Sequence, residues 1–193
     1  LAESLAAINQ AGVRLARQAA GDRAFVAGAV GPLGAHMEPL GRISSRQARA
    51  IFAEQVSALA EAGVDLLLLE TFSHLDEMKE AVLAAREVVG DGMVIVAQVT
   101  IDDDGSLRGG AKPENYTRQL DQWPVDVIGC NCSAGPKVTL ETVEKMMRYS
   151  SKPMSAMPNA GHPARVEGRN IYLCSPEYFA QYARRFLWAG VKI

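Results

Sequence analysis

The stretch DLLLLETF at residues 65–72 decides the fold, because it sets four consecutive leucines between Asp65 and Glu70. A short run that is apolar at every position predicts a strand with both faces buried, which is typical of parallel sheets. Longer amphipathic stretches stand on either side of it, at 45–62 and 75–89. Because parallel strands are joined through a crossover, these stretches predict covering helices.

The same alternation extends along the chain in both directions. It predicts strands at 24–29, 65–70, 93–99, 126–131 and 153–157, with a short strand at 191–193. It predicts helices at 2–20, 45–62, 75–89, 114–122, 138–149 and 176–189. Cap signals agree: Ser73 and Asp76 have capping-box spacing, Pro176 suits a first helical turn, and Gly63 and Gly190 suit helix ends.

Strand-helix repetition alone fits either a closed barrel or an open doubly wound sheet. Gly28, Gly31 and Gly34 do not have the G-x-G-x-x-G spacing of dinucleotide-binding folds, and the chain has no P-loop sequence. These observations favour the barrel. We expect one domain over 1–193, with functional loops at 100–112 and 158–175, since both follow predicted strands.

Composition excludes several classes of function. The 20 basic and 22 acidic residues are interspersed, with a formal charge of −2, which argues against a nucleic-acid or anionic-membrane surface. No apolar stretch approaches the roughly 20 residues of a membrane helix, and the N-terminal sequence lacks a secretory pattern. Three cysteines without a secretory signal favour reduced thiols in the cytoplasm.

Polar residues follow three of the predicted strands, where parallel α/β proteins place their active sites. Glu70 could hold a substrate ammonium, and a capping or arginine-pairing role is about equally supported. Cys132 could reach a metal, although a cysteine near a core strand is usually a small buried hydrophobe, as we expect for Cys130 and Cys174. The C-x-C spacing also differs from a C-x-x-C zinc knuckle.

Other candidate positions have simpler alternatives. Asn159 could orient a substrate, but Asn and Gly also form turns. Glycine with proline at 31–34 is common in loops. His36, His74 and His162 lack metal-site spacing, so we expect surface or capping roles for them.

Several motifs together resemble the homocysteine S-methyltransferase family over essentially the whole chain. They are GPLG at 31–34, LLLETF at 67–72, QVT at 98–100, GCNCSAGP at 129–136, MPNAG at 157–161 and AGVKI at 189–193. The likeness is greatest to the N-terminal half of bacterial bifunctional proteins that join such a domain to a methylenetetrahydrofolate reductase. It extends to the homocysteine-binding part of cobalamin-dependent methionine synthase and to the betaine-dependent enzyme.

This resemblance implies a parallel (β/α)8 TIM barrel, of which this chain would hold about strands three to seven and the start of the eighth. It implies zinc-dependent methyl transfer to the thiol of homocysteine, with Cys132 as one of three zinc ligands. Glu70, with the adjacent Thr71, would contact the homocysteine ammonium, and Asn131 and Asn159 would line the same pocket. The methyl donor is not indicated by the sequence.

The chain also departs from the family pattern. The adjacent cysteines of a G-G-C-C motif, which supply the other two zinc ligands, and the opening D-G-x-x-G strand are absent. Because one thiolate cannot complete a tetrahedral zinc site, we predict that this segment alone is inactive and metal-free. An open barrel would expose strand edges, so we expect the segment either to be the ordered part of a longer protein or to depend on a neighbour. Two alternatives remain: a non-catalytic barrel module beside a reductase, and an enzyme that binds a phosphorylated molecule through the loops at Gly31 and Gly161.

Overall fold

A computed structural model of the chain describes residues 4–132, 134–161, 164–172 and 174–193. Strands and helices alternate along most of its length. The strands are β1 (Ala27–Val30), β2 (Leu66–Phe72), β3 (Val94–Val99), β4 (Val127–Asn131), β5 (Met154–Met157), β6 (Ala164–Val166) and β7 (Arg169–Ile171). The α-helices are α1 (Leu5–Ala20), α2 (Ser45–Glu61), α3 (Leu75–Val89), α4 (Pro113–Gln122), α5 (Pro136–Met146) and α6 (Pro176–Ala189).

Strands β1 to β5 form a five-stranded sheet in the order β1-β2-β3-β4-β5. β1 pairs in parallel with β2, and β4 pairs in parallel with β5. A helix lies between each pair of consecutive strands, and sequence order equals spatial order, whereas a doubly wound sheet changes direction at a switch point. The fold is therefore α/β with a parallel sheet, consistent with part of a TIM barrel.

The predicted elements agree with the structure except near the C-terminal end. Residues 191–193 are not a strand, yet Ala156 N donates to Ile193 O at 2.9 Å and Lys192 N donates to Met154 O at 2.9 Å. This segment therefore runs beside β5. The antiparallel hairpin β6-β7 was not predicted, because its two three-residue strands lie within the segment 158–175 that was expected to be a loop.

Burial differs among the strands. Every residue of β4 is buried, as the apolar pattern predicts, but β1 is buried only at alternate positions. Gly28 faces α2, since a Cβ added there would lie 3.2 Å from Leu59 Cδ1, while Ala27 and Ala29 are exposed. The prediction that both faces are buried is therefore wrong for β1, which lies at one edge of the five-stranded sheet.

Two compact units make up the chain, Leu1–Ala97 with Trp123–Asp126 and Gln98–Gln122 with Val127–Ile193. In the first, Phe52 of α2 packs against Phe72 of β2, with ring centroids 5.9 Å apart. In the second, Leu120, Ile128 and Met146 are fully buried. A single domain over residues 1–193 stays a prediction.

The helix ends show why some cap predictions hold and one fails. Gly190 ends α6 in the left-handed conformation, and Pro176 stands in its first turn, as predicted. The predicted capping box of Ser73 and Asp76 is wrong: α3 begins at Leu75, as predicted, but its N-cap is His74, one residue after Ser73. A capping box is found instead at Ser44 and Gln47 of α2. Among the residues described, no helix combines the length and hydrophobicity of a transmembrane span.

Candidate functional site

The carboxyl end of β2 presents Glu70 and Thr71 in the first unit. Phe72, the last residue of the strand, is fully buried, whereas Glu70 and Thr71 are half-buried. Thr71 has a φ of 66°, in the left-handed region, which is rare for a β-branched residue. Such strain costs on the order of 1–3 kcal/mol and is found most often at functional sites.

The loop after β1 lies against the backbone of Glu70. A Cβ added at Gly31 would lie 4.0 Å from the carbonyl oxygen of Glu70, and Gly34 has a φ of +74°. Pro32 and Leu33 lie between these two glycines. The structure therefore brings together two of the motifs that the sequence singled out, residues 31–34 and Glu70.

The carboxyl end of β4 presents Asn131 and Cys132 in the second unit. Asn131, the last residue of β4, is buried, and Cys132 is half-buried with a φ of 61°. The backbone N–H of Cys132 donates to the carbonyl of Met157, at the end of β5, at 3.0 Å. This bond continues the pairing of β4 with β5 by one residue, so that the left-handed turn falls on Cys132.

Asn159 is held beside Cys132. Its backbone N–H donates to the carbonyl of Ala134 at 3.0 Å, and its side-chain Nδ2 donates to Cys132 Sγ at 3.6 Å. The structure thus brings together the predicted positions Asn131, Cys132 and Asn159 around the ends of two neighbouring strands. Their roles in binding a substrate or a metal stay predictions.

The three cysteines, all free thiols, occupy different environments. Cys130 is fully buried, and its Sγ lies 3.3 Å from the sulfur of Met146. Burial raises the pKa of the Cys130 thiol to about 12, so it is a poor metal ligand at neutral pH. Cys174 is half-buried, contrary to the prediction of a core cysteine, because it lies just before α6 and beside Gly161.

A buried polar pair in the same unit was missed from the sequence. Gln98 Nε2 of β3 donates to Ser155 Oγ of β5, and both residues are completely buried. Gln98 Oε1 is buried and has no hydrogen-bond partner among the described residues. The two residues are 57 positions apart, so no local pattern could indicate their contact.

The loop between β3 and α4 is fixed within the second unit. Asp104 accepts hydrogen bonds from Ser106 and forms an ion pair of 2.7 Å with Lys112, which together hold the pKa of the Asp104 carboxyl well below its usual value. Tyr116 donates its hydroxyl to the carbonyl of Gly105 at 3.1 Å. This loop, which we expected to carry function, is therefore held in place at two points, the turn at Asp104 and the start of α4.

The described part of the chain does not contain a complete set of metal ligands. No three histidine, cysteine or carboxylate side chains there come together as a metal site. His36 is exposed and lies edge-on to His74, with ring centroids 6.0 Å apart. His74 has the predicted capping position, and His162 lies outside the described residues. A Cys132 buried away from the strand ends would have supported the phosphate-binding alternative, but Cys132 is half-buried directly after β4.

Comparisons with known proteins agree on one family. The chain is 28% identical to the methionine synthase of Mycobacterium tuberculosis over 196 residues, which cover 97% of this chain and 16% of that protein. It is 31% identical to betaine–homocysteine S-methyltransferase 1 of Pongo abelii over 141 residues, 72% of this chain and 33% of that protein. The chain thus spans a third or less of these relatives.

The fold is also that of a solved enzyme. The homocysteine methyltransferase MmuM of Escherichia coli, in its apo form, superposes with a TM-score of 0.74 at 23% identity, covering 99% of this chain and 66% of MmuM. A metallated form of MmuM gives a TM-score of 0.71 at 21% identity, covering 97% of this chain and 64% of MmuM. The family model for homocysteine S-methyltransferase matches residues 1–193, and the chain therefore belongs to the homocysteine S-methyltransferase family.

Proposed function

We propose that the whole protein transfers a methyl group from a small donor to the thiol of homocysteine, giving methionine, with zinc bound through Cys132. Family membership supports the reaction. The observation that carries the assignment of Cys132 is its placement: it is half-buried, in a left-handed turn directly after β4, and receives a hydrogen bond from Asn159. Cys130, two residues earlier, is completely buried in the core.

Glu70 and Thr71 are proposed to bind the homocysteine ammonium, with Asn131 and Asn159 lining the pocket. Active sites of parallel barrels are built at the carboxyl ends of the strands, which is where Glu70 follows the leucines of β2 and Asn131 ends β4. A carboxylate is the natural partner of a substrate ammonium, and charged hydrogen bonds are the stronger ones. The two amides supply neutral donors and acceptors for the remaining polar atoms of an amino acid.

Zinc, when bound, would favour the thiolate of homocysteine over its thiol, which is mostly protonated at neutral pH. The described residues supply one suitable ligand, Cys132, and they do not by themselves complete a zinc site, which needs three protein ligands beside the substrate. We therefore propose that the remaining ligands belong to other parts of the whole protein. Asn159, which donates to Cys132 Sγ, would orient this ligand and stabilise its anionic form.

The test compares two cysteine variants of the whole protein. Cys132→Ala should abolish both the zinc content, measured by mass spectrometry of the metal, and the formation of methionine from homocysteine. Cys130→Ala is the matched control, because Cys130 is buried against Met146. This variant should retain both zinc and turnover. Stoichiometric zinc and normal turnover in the Cys132 variant would reject the proposal.

The same measurements address the alternative of a non-catalytic module beside a reductase. A module without a working site would contain no zinc in the whole protein and would show no affinity for homocysteine in calorimetric titration. Wild-type zinc near one equivalent per chain, lost only in the Cys132 variant, would exclude it.

A further inference from the structure

Glu77 is a buried carboxylate that none of the proposed steps uses. It lies in the first turn of α3 and is only 8% exposed. Its Oε1 accepts a hydrogen bond of 2.6 Å from the backbone N–H of Leu33, a residue 44 positions earlier in the chain. A carboxylate in the first helical turn also interacts favourably with the helix dipole.

The bond from Leu33 fixes the loop that touches Glu70. Leu33 lies in the loop 31–34, and Gly31 of the same loop approaches the carbonyl oxygen of Glu70. Residues 31–34 are therefore held between two carboxyl residues, by a hydrogen bond to Glu77 and by backbone packing against Glu70. Both contacts lie within the first unit.

Glu80, one helical turn further along α3, provides a comparison. It is buried to nearly the same extent, at 7% exposed, but its Oε2 accepts from Arg49 Nε at 2.8 Å. Arg49 belongs to α2, so the ion pair of Glu80 joins two helices, whereas the hydrogen bond of Glu77 reaches the loop 31–34. Glu77 and Glu80 thus have similar burial, the same carboxylate group and the same helix, but different hydrogen-bond partners.

We infer that Glu77 is a positioning residue for homocysteine, acting by fixing the loop 31–34 against Glu70. This inference rests on the proposed function, in which Glu70 binds the substrate ammonium. Without the acceptor, the Leu33 N–H loses its partner and the loop loses the hydrogen bond that holds it against Glu70. The affinity for homocysteine then falls, because binding must first order the loop.

The test uses Glu77→Ala, Glu77→Gln and Glu80→Ala in the whole protein, with the dissociation constant of homocysteine measured by calorimetry. Glu77→Ala should weaken binding about tenfold, as expected when a charged hydrogen bond that orders a site is lost. Glu77→Gln keeps an acceptor oxygen and should restore the constant to within about threefold of wild type. Glu80→Ala should lower the melting temperature and leave the constant unchanged.

Hydrogen exchange provides a second readout that does not depend on binding. The Leu33 amide should exchange faster in Glu77→Ala than in wild type, and at the wild-type rate in Glu80→Ala. Equal effects of the two alanine variants on homocysteine affinity would overturn the inference, as would unchanged affinity in a Glu77→Ala variant whose Leu33 amide has become exposed to exchange. Glu70→Ala distinguishes failure of the proposed function from failure of this inference. If Glu70→Ala leaves homocysteine affinity intact, the proposed function fails. If Glu70→Ala weakens binding and Glu77→Ala does not, only the inference fails.

Discussion

Gly129 lies in the middle of β4, beside Ser155 of β5. A Cβ added at Gly129 would collide with the carbonyl group of Ser155, which is backbone and cannot move aside without shifting β5. Glycine is therefore required here for a close approach of two strands. Asn131 ends this strand, and Cys132 follows it directly. The packing of β4 against β5 therefore explains why Gly129, the first residue of the GCNCSAGP motif, is a glycine.

We predict that Gly129→Ala destabilises the protein by about 3 kcal/mol, since overpacking against backbone forces a shift of the strand. Gly12 is the control, because it lies within α1 and a Cβ added there meets nothing within 4 Å. Gly12→Ala should stabilise by about 0.5–1 kcal/mol, through the better helix propensity of alanine. Urea unfolding of both variants measures the difference, and equal stabilities would contradict the predicted collision.

Residues of the candidate site could be predicted only where their position in the fold follows from their immediate neighbours in the sequence. Cys132 and Glu70 stand directly after apolar runs, so their position at strand ends could be predicted. Glu77 and Gln98 could not be assigned in this way, because their partners, Leu33 and Ser155, are 44 and 57 positions distant. Their contacts depend on how the strands and helices pack.

At the scale of elements, long periodic segments were predictable and short ones were not. The helices α2, α3 and α6 begin at their predicted residues, because each carries a long stretch of apolar periodicity, and for α6 the predicted Pro176 also stands in the first turn. The hairpin β6-β7 has strands of three residues, too short for a periodic pattern. Its turn contains Glu167 and Gly168, which have φ values of 49° and 78°, and this Glu-Gly pair is a weaker turn signal than Asn-Gly.

The capping motifs lead to a prediction at this scale. Ser44 accepts a hydrogen bond from the Gln47 backbone N–H, and the Gln47 side chain accepts from the Ser44 backbone N–H. Ser73 has the same kind of sequence signature but stands one residue before the N-cap of α3. Ser44→Ala should therefore cost about 1 kcal/mol, and Ser73→Ala no more than about 0.5 kcal/mol. Thermal unfolding of the two variants under identical conditions measures both costs, and a larger loss for Ser73→Ala would show that its hydroxyl has a role beyond capping.

At the scale of the whole molecule, large apolar side chains lie on the surface of each unit. In the first unit Phe25 is 86% exposed, and in the second unit Trp188 is 81% exposed. Contiguous apolar patches mark binding surfaces, whereas single exposed apolar side chains are common on folded proteins. The chain spans 16% of the methionine synthase relative and 66% of MmuM, so both of these proteins have further segments.

In the proposed function, zinc binding requires ligands from other segments of the whole protein. Cys132 is the proposed ligand, Cys130 is completely buried, and no group of three potential ligands comes together in the residues that the structure describes. We predict that the 193-residue chain alone binds no stoichiometric zinc and forms no methionine, because one thiolate provides too few of the bonds that a tetrahedral site requires. Competition with a chromogenic chelator measures the affinity, with the whole protein as the positive control and the Cys132→Ala chain as the baseline. Tight binding of one zinc per isolated chain, lost on replacing Cys132, would mean that residues of this chain complete the site and that the proposed sharing of ligands with other segments is wrong.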